Sequence, residues 1–335
     1  MLGGAAASDG SSSTRLSGVT GGVYRGLVSP RVAVVGAGLS GASCAQALLD
    51  HGIAVDLIER GRAPGGRMAS PTVHGRRVDV GAAYFTAKEP LFSAVVDRWV
   101  TDGLARPWTD AFDVFSSDGH RRSEGPTRYA TPDGLRSLVR ATLPDEVRLS
   151  TEVGSLDELE HDAVVLAMPD PQAARLAPDA ADWVSYEPVI AVAAGWDRRC
   201  WPLHDAAFVN DDPDVAFVAD DGSRRGDGAA VLVAHTTAQR ARAHLDNPPD
   251  AAAPVIGALR RVLGVDVEPQ WTHAHRWTYA KPSGTHGDDA FGLTSHGGRP
   301  LGLCGDSWCP SGAPRVESAW LSGRALGVEL AARLT

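Results

Sequence analysis

The chain reads as an α/β protein. A Rossmann-like dinucleotide-binding domain is assembled from separated segments, and an α+β substrate domain carrying a mixed β-sheet is inserted between them. Three observations predict this. Gly36-x-Gly38-x-x-Gly41 lies between the apolar run Arg31-Val-Ala-Val-Val35 and a small-residue helix. A second pair, Gly305-Asp306, follows the apolar stretch Leu301-Gly-Leu-Cys304 near the C-terminus. Between them, residues 184–294 change texture to short alternating runs.

The elements follow in order. Arg31–Val35 reads as a short buried strand, residues 39–51 as a helix ended by Gly52, and 54–59 as the next strand. Together they form one βαβ unit with a right-handed crossover. Residues 61–68 are a loop and 77–79 a short strand. Leu91, Val95, Val96 and Trp99 have helical spacing over 91–100. Thr131-Pro132 announces a helix over 133–143. Residues 147–149 and 152–156 read as strands, and 163–167 as a buried strand ending at Met168-Pro169.

In the middle, strands are expected at 189–196, Ala206–Val209, 215–218 and 229–234. Helices follow near 237–245 and Ala252–Leu263, then a long strand over 271–279. A strand at 300–304 and a helix over 315–333 return to the first pattern. The expected division is a flexible tail over 1–29, a cofactor domain of 30–88, 126–180 and 297–335, and a substrate domain of 89–125 and 181–296.

At 335 residues the chain is long enough for two domains. Hydrophobic content of 43% with 22% charged residues is that of a soluble globular protein. A net charge of −9 argues against a nucleic-acid surface, which relies on clustered positive charge. Lys88 and Lys281 are the only lysines, which limits the catalytic lysines available. Cys44, Cys200, Cys304 and Cys309 show no Cys-x-x-Cys or Cys/His zinc spacing, so no metal is expected. They read as reduced core thiols, with a redox role for Cys304 and Cys309 as the other reading. The first thirty residues lack the apolar core of a secretory signal. They read as a flexible tail or an over-extended start. No apolar run approaches the ~18 residues that span a bilayer. A cytoplasmic protein without a membrane partner is expected.

The glycines carry the first chemical argument. Gly36 permits a tight turn, Gly38 lets the backbone approach a pyrophosphate, and Gly41 lets helix and strand pack closely. The phosphate then sits at a helix N-terminus. Glu59, eighteen residues after Gly41 at a strand end, can accept from ribose hydroxyls and disfavours a 2′-phosphate. A turn-rich βα junction is the bland alternative. The remaining motifs turn the dinucleotide from NAD to FAD. Gly65-Gly66-Arg67-Met68 supplies flexible backbone and a cation, and Asp79-Val-Gly81-Ala82 is suited to close approach by a flat ring. Asp306 can hold ribityl hydroxyls, and the helix opening at Val316 can aim N–H groups at a flavin.

These residues, in this order, resemble the flavin-dependent amine oxidase superfamily and most closely its renalase branch, from about Arg31 to the C-terminus. Besides the cofactor motifs, the resemblance rests on Asp162-Ala-Val-Val-Leu-Ala-Met-Pro169 with Pro171-Gln172, and on His275-Arg-Trp-Thr-Tyr-Ala280 with Pro282. The sequence departs from relatives at Ala83, often glutamine, and at Val80, often histidine. The resemblance implies non-covalent FAD. The expected contact set is Gly36, Gly38, Leu39, Ser40, Gly41, Glu59, Arg60, Gly66, Arg67, Met68, Gly81, Ala82, Val153, Ala167, Met168, Gly305, Asp306, Val316, Glu317 and Ala319. It also implies an oxidase that takes hydride from 2- or 6-dihydro isomers of NAD(P)H. The products are NAD(P)⁺ and hydrogen peroxide formed from dioxygen.

On the substrate side, strand alternation puts His273, His275, Trp277 and Tyr279 on one face and Arg276 on the other. A stacked hydride donor needs orientation more than a proton carrier. His275 or Tyr279 is therefore assigned to the carboxamide and Trp277 to stacking. The competing reading makes Trp277 and Tyr279 core aromatics and His273 a half-exposed strand residue. Tyr129, beside Arg128, resembles a family tyrosine and is a second wall; a helix-entry turn with a surface arginine is the alternative. Tyr84 and Phe85 are read as core, with a place near the flavin as the other reading. Three rival functions remain open: an amine oxidase using Lys88 or Lys281, the latter expected in a loop; a desaturase- or isomerase-like flavoenzyme; and a non-catalytic flavin-binding protein.

Overall fold

A computed structural model describes residues 29–335. The tail expected over 1–29 lies, apart from Ser29, outside the described residues. The chain begins with β1 (Arg31–Val35), α1 (Leu39–Asp50) and β2 (Ala54–Ile58), then the small hairpin β3 (Thr72–Val73) and β4 (Arg76–Arg77). α2 (Pro90–Thr101) leads to β5 (Arg106–Ser116) and β6 (Gly119–Ala130), followed by α3 (Arg136–Thr142), β7 (Ala163–Leu166) and α4 (Asp170–Ala173). The middle holds β8 (Tyr186–Gly195), β9 (Ala206–Val209), β10 (Val215–Asp220) and α5 (Asp221–Arg225). Next come β11 (Val231–Thr236), α6 (Ala238–Ala243) and α7 (Ala252–Leu263). β12 (Trp271–Pro282), β13 (Gly292–His296), β14 (Arg299–Leu303) and α8 (Val316–Leu334) follow.

Two sheets organise these elements. The first has the order β13-β14-β7-β1-β2, parallel except for β13. Its central strands are buried on both faces, as a parallel sheet requires. Val32 and Val34 of β1 meet Leu48 of α1 and Leu326 of α8 on one side. Ala33 and Val35 meet Leu156, Ala173 and Trp308 on the other. The second sheet has the order β12-β8-β11-β10-β9-β5-β6. Only β5 with β9 runs parallel, so it is mixed. Ile190, Val192 and Ala194 of β8 face Val255 and Leu259 of α7. Ala191 and Ala193 face the other way, onto Val78 and Val80. The α/β fold with a mixed second sheet is as expected.

Several boundaries differ. β5 and β6 were not anticipated, because most of β6 is exposed at the sheet edge and carries His120-Arg-Arg-Ser-Glu124 instead of an apolar alternation. The expected boundary at 125/126 therefore falls inside β6. β13 pairs with β14 in the first sheet, so the boundary at 296/297 falls in that hairpin's turn. The strands expected at 147–149 and 152–156 do not form. Arg148 makes one isolated bridge with Ile58, and residues 156–158 make a single 3₁₀ turn that buries Leu156. The strand expected at 77–79 is shifted, and Asp79 lies beyond β4. Among the described residues no helix is long and apolar enough to cross a membrane, and no acid–His–Cys group is arranged for a metal.

Candidate active site

The N-terminal glycines form a cradle whose geometry suits a dinucleotide. Gly36 has φ +112°, and a side chain there would strike the Ala167 carbonyl. One at Gly41 would strike the Gly36 carbonyl. Gly38 is different: a Cβ there would meet nothing within 4 Å. Across from it stands Gly66, with φ +51° and its would-be Cβ 3.5 Å from Gly38 Cα. No side chain caps α1, and Leu39, Ser40 and Gly41 are buried in its first turn. Uncapped N–H groups behind an open glycine are what a phosphate requires. Glu59 spans the loop mouth, accepting from Ala37 N at 2.9 Å and Gly61 N at 2.6 Å.

Close helix packing brings the C-terminal motif to this cradle. A side chain at Gly323 of α8 would collide with the Ser40 carbonyl of α1, and a Cβ at Gly327 would lie 2.7 Å from Ala47 Cβ. Ser43 Oγ donates to the Trp320 carbonyl at 2.8 Å. Asp306 thereby meets Arg67 in a two-pronged pair at 2.8 and 2.5 Å. Arg67 also donates to the Ala280 carbonyl at 3.1 Å and lies 5.5 Å from the Tyr186 ring centroid. Burial opposes the Arg67 charge, but the facing Asp306 outweighs it and raises the pKa. The pair offers a cation for a phosphate and a carboxylate for polyol hydroxyls at the open end of the cradle. These residues fit FAD.

The other expected contacts divide. Ala167 donates from its N–H to the Val35 carbonyl, and its own carbonyl closes on Gly36. Ala82 N donates to the Arg67 carbonyl at 2.9 Å, and a side chain at Gly81 would strike that same carbonyl. The glycine therefore lets the Gly66–Met68 turn lie against the strand end. Met68 is buried beside Leu39, whereas Val153 and Met168 pack on the far cluster of Leu156 and Ala173. Arg60 turns outward, 59% exposed and 3.9 Å from Glu152. Glu317 is engaged elsewhere: Oε1 accepts from Lys88 N and Glu89 N at 2.6 and 2.7 Å, fixing the entry to α2. Val316 packs near Trp320, and Ala319 N bonds the Arg315 carbonyl. Of the cysteines, Cys44 and Cys304 pack in one buried cluster beneath the first sheet, and Cys309 lies 3.0 Å from Ser311 Oγ.

The substrate side is built on β12, the edge strand of the second sheet. His273, His275 and Trp277 pair with Ala193, Ala191 and Val189, so they share the face that looks onto Val78 and Val80. His275 and Trp277 have ring centroids 4.5 Å apart. Trp277 Nε1 donates to the Val80 carbonyl at 2.7 Å, which docks β12 beside Gly81. The alternation then breaks. Tyr279 lies within a register shift between Trp277 and Lys281; its hydroxyl accepts from Arg175 at 2.9 Å and its ring meets Tyr186 edge-on. Lys281 lies on β12 opposite Glu187, not in a loop. Tyr129 stacks on Phe85 at 5.4 Å within the α2–α3 core, and Arg128 is buried over the Phe112 ring at 4.0 Å rather than exposed.

Three groups had no sequence signal. His235 is register-linked to His275 through Ala191, and its Nε2 is buried without a partner. Burial, then the charges of Lys281 and Arg224, push its pKa down to about 3. Arg224, fully buried, donates to the Ala83 and Asp79 carbonyls at 3.1 and 3.3 Å and so holds the strand end beside Gly81. Asp170 accepts from Ser307 Oγ at 2.8 Å, from Val184 N at 2.9 Å and from His286 at 2.6 Å, which anchors the segment after Asp306. Burial raises the Asp170 pKa and these bonds more than reverse it, leaving it lowered.

A phosphate cradle, a second motif beside it and a docked aromatic strand define a flavin-dependent oxidoreductase. The family profile described as flavin containing amine oxidoreductase matches residues 135–326, and that of the NAD(P)-binding Rossmann-like domain matches residues 34–99. The chain is 26% identical to renalase of Mus musculus over 82% of its own length and 92% of that protein. Among solved structures, cyclohexylamine oxidase from Brevibacterium oxydans IH-35A shares 14% identity with a TM-score of 0.71, covering 91% of this chain and 99% of that one. A protein of Exiguobacterium sp. 255-15, provisionally assigned as a protoporphyrinogen oxidase, shares 14% identity with a TM-score of 0.76, covering 92% and 100%. The chain belongs to the flavin-containing amine oxidoreductase family. It is a renalase-like, FAD-dependent oxidoreductase.

Proposed function

We propose that the protein is an oxidase of 2- or 6-dihydro isomers of NAD(P)H, returning them to NAD(P)⁺. Each turnover removes a hydride from the dihydropyridine and, with one proton from solvent, reduces dioxygen to hydrogen peroxide. Non-covalently bound FAD supplies the two-electron acceptor. The residues of the chain bind and orient. Gly36, Gly38, Gly66, Arg67 and Asp306 hold the cofactor, and the flavin-binding unit corresponds to the first sheet with its helices. The second sheet is the substrate unit. His275 and Trp277, their rings tilted 56° to each other, present an aromatic wall to the substrate, and His235, kept neutral by burial, adds an uncharged hydrogen-bonding nitrogen on the same face. Neutral groups suit a reaction in which orientation, not proton transfer, limits the rate.

The observation that carries this reading is the His275–Trp277 pair docked on Val80 beside Gly81. Similarity to renalase along most of both chains supports it. A second reading, oxidation of a small amine, is favoured by Lys281. Its partner Glu187 shares the strand face of Val189 and Ala191, and its charge reaches His235. Anaerobic mixing separates the two: a dihydronicotinamide isomer should bleach the flavin within seconds, and amines should not. Faster bleaching by ordinary 4-dihydro NADH, or by an amine, would sink the first reading.

A further inference from the structure

The rim beside the histidine row is basic in a chain of net charge −9. Arg136 opens α3; its N–H bonds Ser70 Oγ at 3.1 Å, and its side chain lies against Gly65, 3.2 Å from Nε to a would-be Cβ there. Arg77 donates to the carbonyl of the same Ser70 at 3.4 Å, and Arg140 lies one turn along α3. Among the described residues none of the three has an ion-pair partner, whereas Arg76, Arg224 and Arg225 nearby all do. Arg136 Nε is buried with no acceptor among the described residues. The carboxylate that acts on Arg136, Asp79, is already bonded to Arg225, Ser70 and Leu135 N. Ser70 bonds Asp79, the neighbour of Val80, whose carbonyl accepts from Trp277, and His275 lies beside Trp277, so this rim adjoins the substrate wall. Burial, then His273 and Arg136, lower the His275 pKa, so the arginine and the wall sense each other.

We propose that Arg136, flanked by Arg77 and Arg140, is a phosphate-binding site for the anionic tail of the substrate. This rests on the dinucleotide reading above and deepens it. Three uncompensated cations attract a pyrophosphate and repel an amine, so the rim selects substrates by charge. A guanidinium whose Nε lacks an acceptor gains a charge-assisted bond only when such a ligand arrives.

The test uses FAD-loaded protein and anaerobic flavin reduction by a dihydronicotinamide dinucleotide and by the matching riboside, which has no phosphate. In Arg136→Gln the dissociation constant for the dinucleotide should rise about tenfold or more, with the limiting rate and the riboside constant unchanged. The exposed double variant Arg77→Gln/Arg140→Gln should show a smaller change in the same direction and guards against misfolding. Equal loss for both substrates, or none for either, overturns the proposal. So does loss of FAD from Arg136→Gln with the dinucleotide-to-riboside ratio unchanged, because the arginine then serves the cofactor's own phosphates. If neither compound bleaches the wild-type flavin, the dihydronicotinamide reading fails, and calorimetric titration with inorganic pyrophosphate decides the site by itself. Binding lost in Arg136→Gln supports a phosphate site; no binding to wild type refutes it.

Discussion

Arg224 and Arg225 bond the Asp79 carboxylate and the Asp79 and Ala83 carbonyls; Arg136 and Arg77 instead bond Ser70, with Arg140 one turn along α3. The first pair is buried among carboxylates. Arg225 bonds Asp79 and Asp221 at 3.1 Å each, Arg224 pairs with Asp221, and Arg76 reaches Asp221 at 2.5 Å. Burial opposes the Asp221 charge, but Arg224 and Arg225 outweigh it and lower its pKa. In the second group Arg77 and Arg140 are exposed and Arg136 half-buried, and among the described residues none of the three forms an ion pair, Asp79 acting on Arg136 only at a distance. A buried charge persists only when its partners are present, so the first cluster is structural. A half-exposed unpaired charge costs little to keep and remains available to a ligand. Arginine alone therefore carries no meaning here; its partners decide.

That contrast breaks most sharply at Arg224. Arg224→Ala removes one of the three guanidinium partners of buried Asp221 and leaves two backbone carbonyls without their donor, and should cost about 3–5 kcal/mol. Urea unfolding would read it, and a change below 1 kcal/mol would show that the cluster does not hold the fold. The cofactor pair comes next. Asp306→Asn strips Arg67 of its counter-charge and should weaken FAD by roughly thirtyfold, about 2 kcal/mol, as followed by flavin fluorescence during dialysis. Undiminished flavin retention would remove Asp306 from the cofactor site.

Gly323→Ala tests the contact that joins the two motifs. Its methyl group would press on the Ser40 carbonyl, and overpacking of about 1–3 kcal/mol should lower Tm by several degrees. An unchanged Tm would mean that α8 can slide on α1.

A weaker effect concerns pH. His235 has a folded pKa of about 3, below its ordinary 6.5, so the unfolded chain takes up the proton first as pH falls. Its contribution to stability is complete above pH 6.5 and declines toward pH 3, by about 1–2 kcal/mol for a partly solvated ring. His235→Gln should flatten that part of the stability profile in urea titrations at stepped pH. The smallest effect belongs to the unpaired rim: Arg77→Gln should shift stability by no more than about 0.5 kcal/mol, the opposite of Arg224→Ala.

Legibility from sequence followed the same division. The βαβ unit, β14 and α8 were readable because buried parallel strands are continuous apolar runs and the glycines sit where backbone must approach backbone. β6 was not, because an exposed edge strand bearing charges has no period to detect. Residues 147–149 misled for the converse reason: Val147 packs against the core while Leu149 stays exposed, in a segment tied to the sheet by one bridge. Among the candidate contacts, Gly38, Gly66, Arg67 and Asp306 converge, whereas Arg60 and Glu317 are drawn to Glu152 and to the backbone of Lys88 and Glu89. A carboxylate near a motif says nothing about which N–H it will reach.

By itself the sequence determined the cofactor class, since a turn, a close approach and a strand-end acid are local demands met by residues close together in the chain. It also determined the His275–Trp277 face, since alternation along a strand is local. Only the tertiary structure decided that β12 shifts register between Trp277 and Lys281, around Tyr279, because that shift depends on the pairing with β8. Likewise it alone decided which arginines are neutralised: Arg224 and Asp79 lie 145 positions apart, and Arg67 and Asp306 lie 239 apart. Pairing over such separations depends on which distant segments the fold brings together, and no local pattern encodes that.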